Sequence, residues 1–314
     1  MLGLGTSVVP DSSATSFFLE ATLLAKFKTR VIDDGGSVES YSCMEQQLVP
    51  LLLEPTTFTT GLLEFYPNAA AAYSLRQLRR SVSPYAIRVR RANDLEQDIG
   101  FNSNGELDTN ALLDFADGGD AWVTTWYDQS SNGNDATQGT PSSQPQIVSS
   151  GVVVTENGKP ALEFNGVSSY MDAADVTTTQ PTTVSLVLAI DIDARYFFDG
   201  DDATDRQASF ISSGVYSAFA GSTQGSGVVP TVGDQIHKFI LFDNLNGQIY
   251  VNNVGNSSLA MGSNVLSGLD IGQRYNGASR LYGRFQELIF WNADHSDSRT
   301  TIQNNVNDFY SIYS

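Results

Sequence analysis

The sequence predicts an all-β fold, a sandwich or jelly roll over residues 61–314, preceded by a helical segment at 1–60 and closed by a helix. Three observations carry this. Six Asn-Gly dipeptides (Asn104-Gly105, Asn132-Gly133, Asn157-Gly158, Asn165-Gly166, Asn246-Gly247 and Asn276-Gly277) punctuate the chain from residue 66 onward. Asn-Gly is the preferred pair where a tight hairpin needs two positive φ angles. Short apolar runs of strand length lie between them. Finally, 41% hydrophobic and 17% charged residues with 27 Gly describe a globular, turn-rich chain.

The elements follow in order. Phe17, Ala21, Leu24, Phe27 and Val31 line one face of an amphipathic helix. Asp33-Asp34-Gly35-Gly36 stops it, and Ser42 with Glu45 has the spacing of a capping box opening a second short helix. Glu54–Gly61 reads as a linker. Strands are expected at Ala86–Arg90, Ala121–Tyr127, Val184–Ile192, Gln207–Ile211, Ile236–Phe242, Gln248–Val251 and Arg284–Trp291. Val184–Ile192 is almost wholly apolar, as befits a central strand covered on both faces. In Arg284–Trp291, alternation sends Phe285 inward and Arg284 and Gln286 outward. The closing helix is capped by Asp297 or Ser298, with Ile302, Val306, Phe309, Tyr310 and Tyr313 as its apolar stripe.

Charge excludes some partners. The net charge is −18, from 17 basic and 35 acidic residues, and such a field repels nucleic acid and anionic membranes. Residues 92–270 hold 4 bases and 23 acids, whereas 1–91 and 271–314 are near neutral. One cysteine, Cys43, excludes an internal disulfide framework and a multi-thiolate metal site. No 18-residue apolar stretch predicts a membrane span. The N-terminus has neither the basic region nor the apolar run of a signal peptide, so synthesis in a cytoplasm is expected.

Local chemistry is sparse. No G-x-S-x-G elbow or phosphate-binding loop occurs, and His237 and His295 are expected to be structural. Arg76, Arg79, Arg80, Arg88, Arg90 and Arg91, followed at once by Asp94, Glu96 and Asp98, read as a solvated face with local ion pairs. Two loops cluster oxygen ligands of the kind calcium takes, Asp128–Asp135 and Asp199–Asp205. Asx-turn chemistry explains them equally and is preferred, so no metal site is assigned and calcium is the sole cofactor considered. Glu163 and Glu287 lie in strand-like runs where a glycosidase pair could be held, but each is expected to be the solvent-facing residue of an alternating strand. Trp122, Trp126, Tyr127, Tyr170, Tyr196, Tyr275 and Tyr282 are candidates for stacking on sugar rings.

Ala72–Arg91 (AYSLRQLRRSVSPYAIRVRR), Asp98-Ile99-Gly100-Phe101 and Thr125–Gln138 (TWYDQSSNGNDATQ) resemble the catalytic domain of fungal-type α-L-arabinofuranosidases. They are similar, too, to concanavalin-like (LamG-type) jelly rolls at large. Lys159–Tyr170 (KPALEFNGVSSY), Leu269–Tyr275 and Gly283–Trp291 extend the resemblance over 66–314. In those enzymes the resemblance implies an acid/base Asp in the turn that here reads Ile271-Gly272-Gln273-Arg274. It also implies a nucleophilic Glu in a middle strand, yet Arg206–Gly233 contains no Asp or Glu. The fold is therefore expected without that catalytic pair, and no catalytic residue is assigned. A helical leader ahead of a LamG-type domain is similar to virion proteins of tailed, particularly marine, phages. That resemblance implies a non-enzymatic tail-fibre, head-fibre or capsid-decoration protein, a homo-oligomer located in the virion. Phe17, Leu24, Phe27 and Val31 would anchor it to other virion proteins, and the jelly roll would face host-surface glycans. The alternative expectation is a glycoside hydrolase acting on surface polysaccharide.

Overall fold

The chain divides into two units, residues 1–57 and 58–314. The computed structural model describes residues 61–314 apart from Ser81, Asp193 and Ala194. Phe17, Leu24, Phe27, Val31 and Cys43 lie outside the described residues.

Residues 61–314 form an all-β sandwich in which every strand pairing is antiparallel. The first sheet runs in the order Ala69–Ser74, Tyr282–Trp291, Thr182–Ile190, Gln235–Phe242, Gly247–Val251, Val254–Leu259. Leu162–Asn165 extends Ala69–Ser74 along the same side of Tyr282–Trp291. The second sheet runs Glu96–Gly100, Tyr85–Arg91, Ala121–Trp126, Ala136–Thr137, Met171–Asp172, Asp270–Ile271, Tyr196–Asp199, Ala208–Ser212, Val215–Phe219, Thr223–Gly225. Gln146–Ser149 joins the two sheets, pairing with Ala121–Trp126 on one side and at Glu163 on the other.

Two apolar layers follow from the alternation. Ile87, Trp126, Met171, Phe198 and Ile271 of the second sheet meet Val184, Leu186, Ile240, Phe285 and Leu288 of the first between the sheets. On the other face of the first sheet, Val187, Phe239, Ile289 and Trp291 pack under Leu62, Leu63, Ile302, Val306 and Tyr310. The covering element is the closing helix, Arg299–Tyr310. This second layer is why Thr182–Ile190 is buried at all nine positions. Burial of Ile302 and Val306, both fully enclosed, contributes about 1.5–3 kcal/mol each. Ser298 is the N-cap residue, but its side chain makes no cap hydrogen bond. Among the described residues, no helix is long and apolar enough to cross a membrane.

The turns differ from the Asn-Gly expectation. Only Asn157-Gly158 (φ 48° and 75°) is a two-residue hairpin with both angles positive, joining Glu156 to Lys159. Among the described residues, Ser150-Gly151, Ser213-Gly214 and Asn252-Asn253 form further hairpins of this kind. A positive φ is open to any small or Asx residue that can tolerate it, so Asn-Gly alone undercounts such turns.

Two polar expectations are also corrected. Arg76 is buried rather than part of a solvated basic face, because Glu287 receives both its Nε (2.7 Å) and Nη2 (2.9 Å). Glu287 and Gln286 are fully buried rather than outward. The closing helix and the Glu156–Lys159 hairpin cover the strand face that alternation alone would leave to water, and Gln286 Nε2 donates to the carbonyls of Glu156, Lys159 and Pro160. Arg88, Arg90 and Arg91 do form local ion pairs, with Asp98, Asp94 and Asp117.

Candidate functional site

The outer face of the second sheet carries an unbroken row of polar side chains. In its central strands the inward positions are apolar, which leaves the alternate positions outward. Those outward residues are directly opposed from strand to strand: Asp98 to Arg88, Arg88 to Thr125, Thr125 to Thr137, Thr137 to Asp172, Asp172 to Asp270, and Asp270 to Asp199. Directly opposed residues hold their Cβ atoms about 4.5–5.5 Å apart. Three carboxylates thus stand side by side on three adjacent strands.

Like charges in that register repel, and the site answers with protons and cations. Burial, reinforced by Asp172, Asp199 and Asp201, pushes Asp270 up to about 7 despite a hydrogen bond from Gln273 Nε2 (2.6 Å). Burial likewise raises Asp199 to about 6, against the lowering effect of Arg206 and of the Tyr275 and Gly200 amides. Asp172 is raised by loss of water and by Asp201. Arg206 Nε lies 2.9 Å from Asp199 Oδ1, and its guanidinium is held between the Phe219 and Tyr275 rings, 4.7 Å from each centroid. Gly272, at φ 83°, makes the turn that returns Gln273 to Asp270. A Cβ there would also stand 2.5 Å from the Phe164 ring.

Aromatic groups flank the row. At one end Tyr127 Oη donates to Asp98 Oδ1 (2.6 Å), and the Tyr127 and Tyr85 rings lie 6.0 Å apart. At the other end Tyr196 stacks on Phe210 (4.6 Å), and Arg274 sits over Tyr196 and Tyr275. Trp122 lies beneath Arg90. Of the remaining aromatic candidates, Trp126 is core, Tyr170 lies under Arg280, and Tyr282 is exposed away from the row.

Chemically, this face offers sugar hydroxyls an exposed carboxylate acceptor, backed by a carboxyl raised to about 7, and aromatic surfaces at the flanks. Asp199 is fully buried and held by Arg206, so it positions its neighbours rather than meeting a ligand. Asp172 is exposed, and Asp270 beside it is buried, with its Oδ1 accepting from Gln273.

The other sequence candidates are placed elsewhere. Glu287 lies under the closing helix, on the far side of the first sheet from this face, and Glu163 is half-buried opposite Arg284. The structure does not bring the two together as a site. Asp128 spends its oxygens on the amides of Ala72, Ser130 and Asn134 and on the Ser130 hydroxyl. Its loop covers the free edge of Ala69–Ser74: Asn132 and Asn134 donate to the Ala69 and Ala70 carbonyls, and Gln129 to that of Ser74. The Trp126–Asn134 signature is therefore an edge-strand cover. Asp202 accepts from Thr204 and Asp205 in an Asx turn, leaving Asp199 alone of that loop in the row. Among the described residues no group of three or more acidic, His or Cys side chains is arranged to hold a metal. His237 is buried against Ser185 Oγ (2.8 Å), and His295 packs edge-on to Tyr66 and Trp291.

Asp172 and Asp270 went unrecognised in the sequence. A faint signal exists: Met171-Asp172, Phe198-Asp199 and Asp270-Ile271 each set an aspartate beside a core residue, but nothing local says that the three strands are neighbours.

No family model matches the sequence, and no curated protein matches it. The structure is similar to a GH54 α-L-arabinofuranosidase soaked with a cyclic sulfate inhibitor (TM-score 0.63, 16% identity). It is similar to an arabinofuranosidase complexed with arabinofuranosyl-α-1,2-xylobiose (0.58, 17%). A glutamate-to-glutamine mutant of a GH54 α-L-arabinofuranosidase soaked with 4-nitrophenyl α-L-arabinofuranoside gives 0.63 and 18%. Each likeness covers 78% of this chain and 64% of the other, so the chain spans less than two thirds of those enzymes. The fold resemblance to arabinofuranosidases is thereby established at the level of the sandwich. Gln273, in the turn where the resemblance expects an acid/base carboxylate, is here an amide donating to Asp270.

Proposed function

We propose that residues 61–314 are a glycan-binding sandwich that contacts sugar through Asp172, set by Asp270 behind it, and through the aromatic flanks of the outer face, within a non-enzymatic virion appendage or decoration protein. The observation that carries the binding reading is the row of directly opposed Asp172, Asp270 and Asp199, with Asp270, raised to about 7 by burial, at its centre. The virion part draws on the resemblance of the leader and sandwich to phage structural proteins. A glycan array tests the binding: wild type should retain a defined set of sugars, and Asp270→Asn with Asp172→Asn should lose them while staying folded. Retention by the double variant refutes this site. Mass spectrometry of purified particles tests the location, and absence of the chain refutes it.

A second reading, glycoside hydrolysis, is favoured by one observation. Asp270, raised to about 7 by burial, stands directly across from exposed Asp172. Directly opposed positions hold their Cβ atoms about 4.5–5.5 Å apart, a spacing compatible with the ~5–5.5 Å carboxyl separation that retaining glycosidases use. Release of nitrophenol from an aryl arabinofuranoside, abolished by Asp270→Asn, would establish it.

A further inference from the structure

One end of the sandwich holds a cavity of 580 Å³, remote in sequence from the aspartate row and built from different strands. Its walls are the Glu156-Asn157 turn, the Val228–Ile236 stretch, the Val251–Val254 hairpin and the chain end at Ser311-Ile312. The volume falls within the ~300–1,000 Å³ of small-molecule sites.

The walls select by charge. Asp234 and Glu156 both line the cavity, and among the described residues no Lys, Arg or His does. Glu156 is already bound to Arg284 (Nε to Oε2, 2.5 Å), whereas Asp234 is exposed and no described cation pairs with it. Gln235, 8% exposed, also lines the cavity. Its Nε2 donates to Gln286 Oε1, which fixes the amide, and its Oε1 has no partner among the described residues. That oxygen is sealed from solvent, so the amide closes the floor of the cavity and leaves Asp234 as the polar group open to a ligand. The rest is apolar: Ile236 and Val251 are buried, and Val229 (70% exposed) and Val254 (62%) form an open rim. With a net charge of −14 on residues 61–314 (14 basic, 28 acidic), the surrounding field concentrates cations and repels anions.

We propose that this cavity is a binding site for a small primary amine with an apolar body: the ammonium faces Asp234, and the body rests on Val229 and Val254. The site is independent of the glycan reading. Titration calorimetry on the full chain at pH 7.5 tests it with cyclohexylamine, cyclohexanol and cyclohexanecarboxylate, which share a body and differ in the head group. Cyclohexylamine should bind saturably at one site, at least tenfold more tightly than the other two. Asp234→Asn and Val254→Arg, both at exposed positions that leave the fold intact, should each weaken it at least tenfold. Failure of the amine to bind overturns the proposal, as does equal binding of the alcohol or the carboxylate, or affinity unchanged in both variants.

Discussion

Replacing Arg76 by Met removes one half of a buried ion pair. Glu287 is wholly enclosed, with a bidentate Arg76 contact at 2.7 and 2.9 Å, a Ser74 hydroxyl at 2.9 Å and the Tyr310 hydroxyl at 3.4 Å. Arg76 reaches on to Asn305 Oδ1 (2.9 Å) and lies over the Phe309 and Tyr310 rings. The pair therefore ties Tyr282–Trp291 to the closing helix. Breaking a buried pair strands a charge and costs about 3–5 kcal/mol, whereas replacing both partners by apolar groups is close to neutral. At ~2–4 °C per kcal/mol for a domain of this size, Arg76→Met should lower Tm by roughly 6–20 °C. Arg76→Met with Glu287→Leu should recover most of that. Chemical denaturation gives the two free energies, and hydrogen exchange should show the Arg299–Tyr310 amides losing protection in the single variant first. A single variant within about 1 kcal/mol of wild type, or a double variant no better than the single, would refute this account of how the helix is held.

Asp270→Asn should stabilise the protein by on the order of 2 kcal/mol at pH 8 and flatten its stability profile. The native carboxyl, raised to about 7, holds a proton that the unfolded one releases near pH 4, so wild-type stability falls as pH rises through 4–7; urea midpoints at pH 5 and 8 measure both effects. Lys238 has the opposite sign. Buried with its Nζ on Ser209 Oγ (2.8 Å) and the Ser217 carbonyl (2.6 Å), it is held well below its ordinary pKa. The unfolded state therefore gains a proton first as pH falls below about 10, and Lys238→Met should lose less stability than wild type between pH 9 and 6. Asp128→Ala should cost about 3 kcal/mol or more by releasing the loop from Ala69–Ser74, and calcium or chelator should leave the wild-type Tm unchanged, because amide and hydroxyl donors already occupy this carboxylate; calorimetry with and without calcium checks both.

Much of the sandwich was legible because its signals are local. Period-2 alternation and apolar runs located Tyr85–Arg91, Ala121–Trp126, Thr182–Ile190 and Gln235–Phe242 to within two residues. The stripe Ile302, Val306 and Tyr310 located the closing helix. Glu287 was misjudged because alternation reports which residues share a face, not what covers that face. The calcium-like loop at Asp128 was ambiguous for a related reason. Clustered oxygens look the same whether they await a cation or the backbone of a strand over fifty residues away, and here Ala69–Ser74 takes them.

The sequence by itself determined the class of fold, the helix that closes it and the concentration of acidic charge between residues 92 and 270, since each depends on neighbours along the chain. Only the tertiary structure decided which acids meet. Asp172, Asp199 and Asp270 are separated by tens of residues, and each alone is an ordinary strand-end aspartate. Antiparallel pairing sets them in register on adjacent strands. There, loss of water raises all three pKa values, and for Asp270 the carboxylates beside it add to the rise, a property of the assembled sheet that no one segment carries.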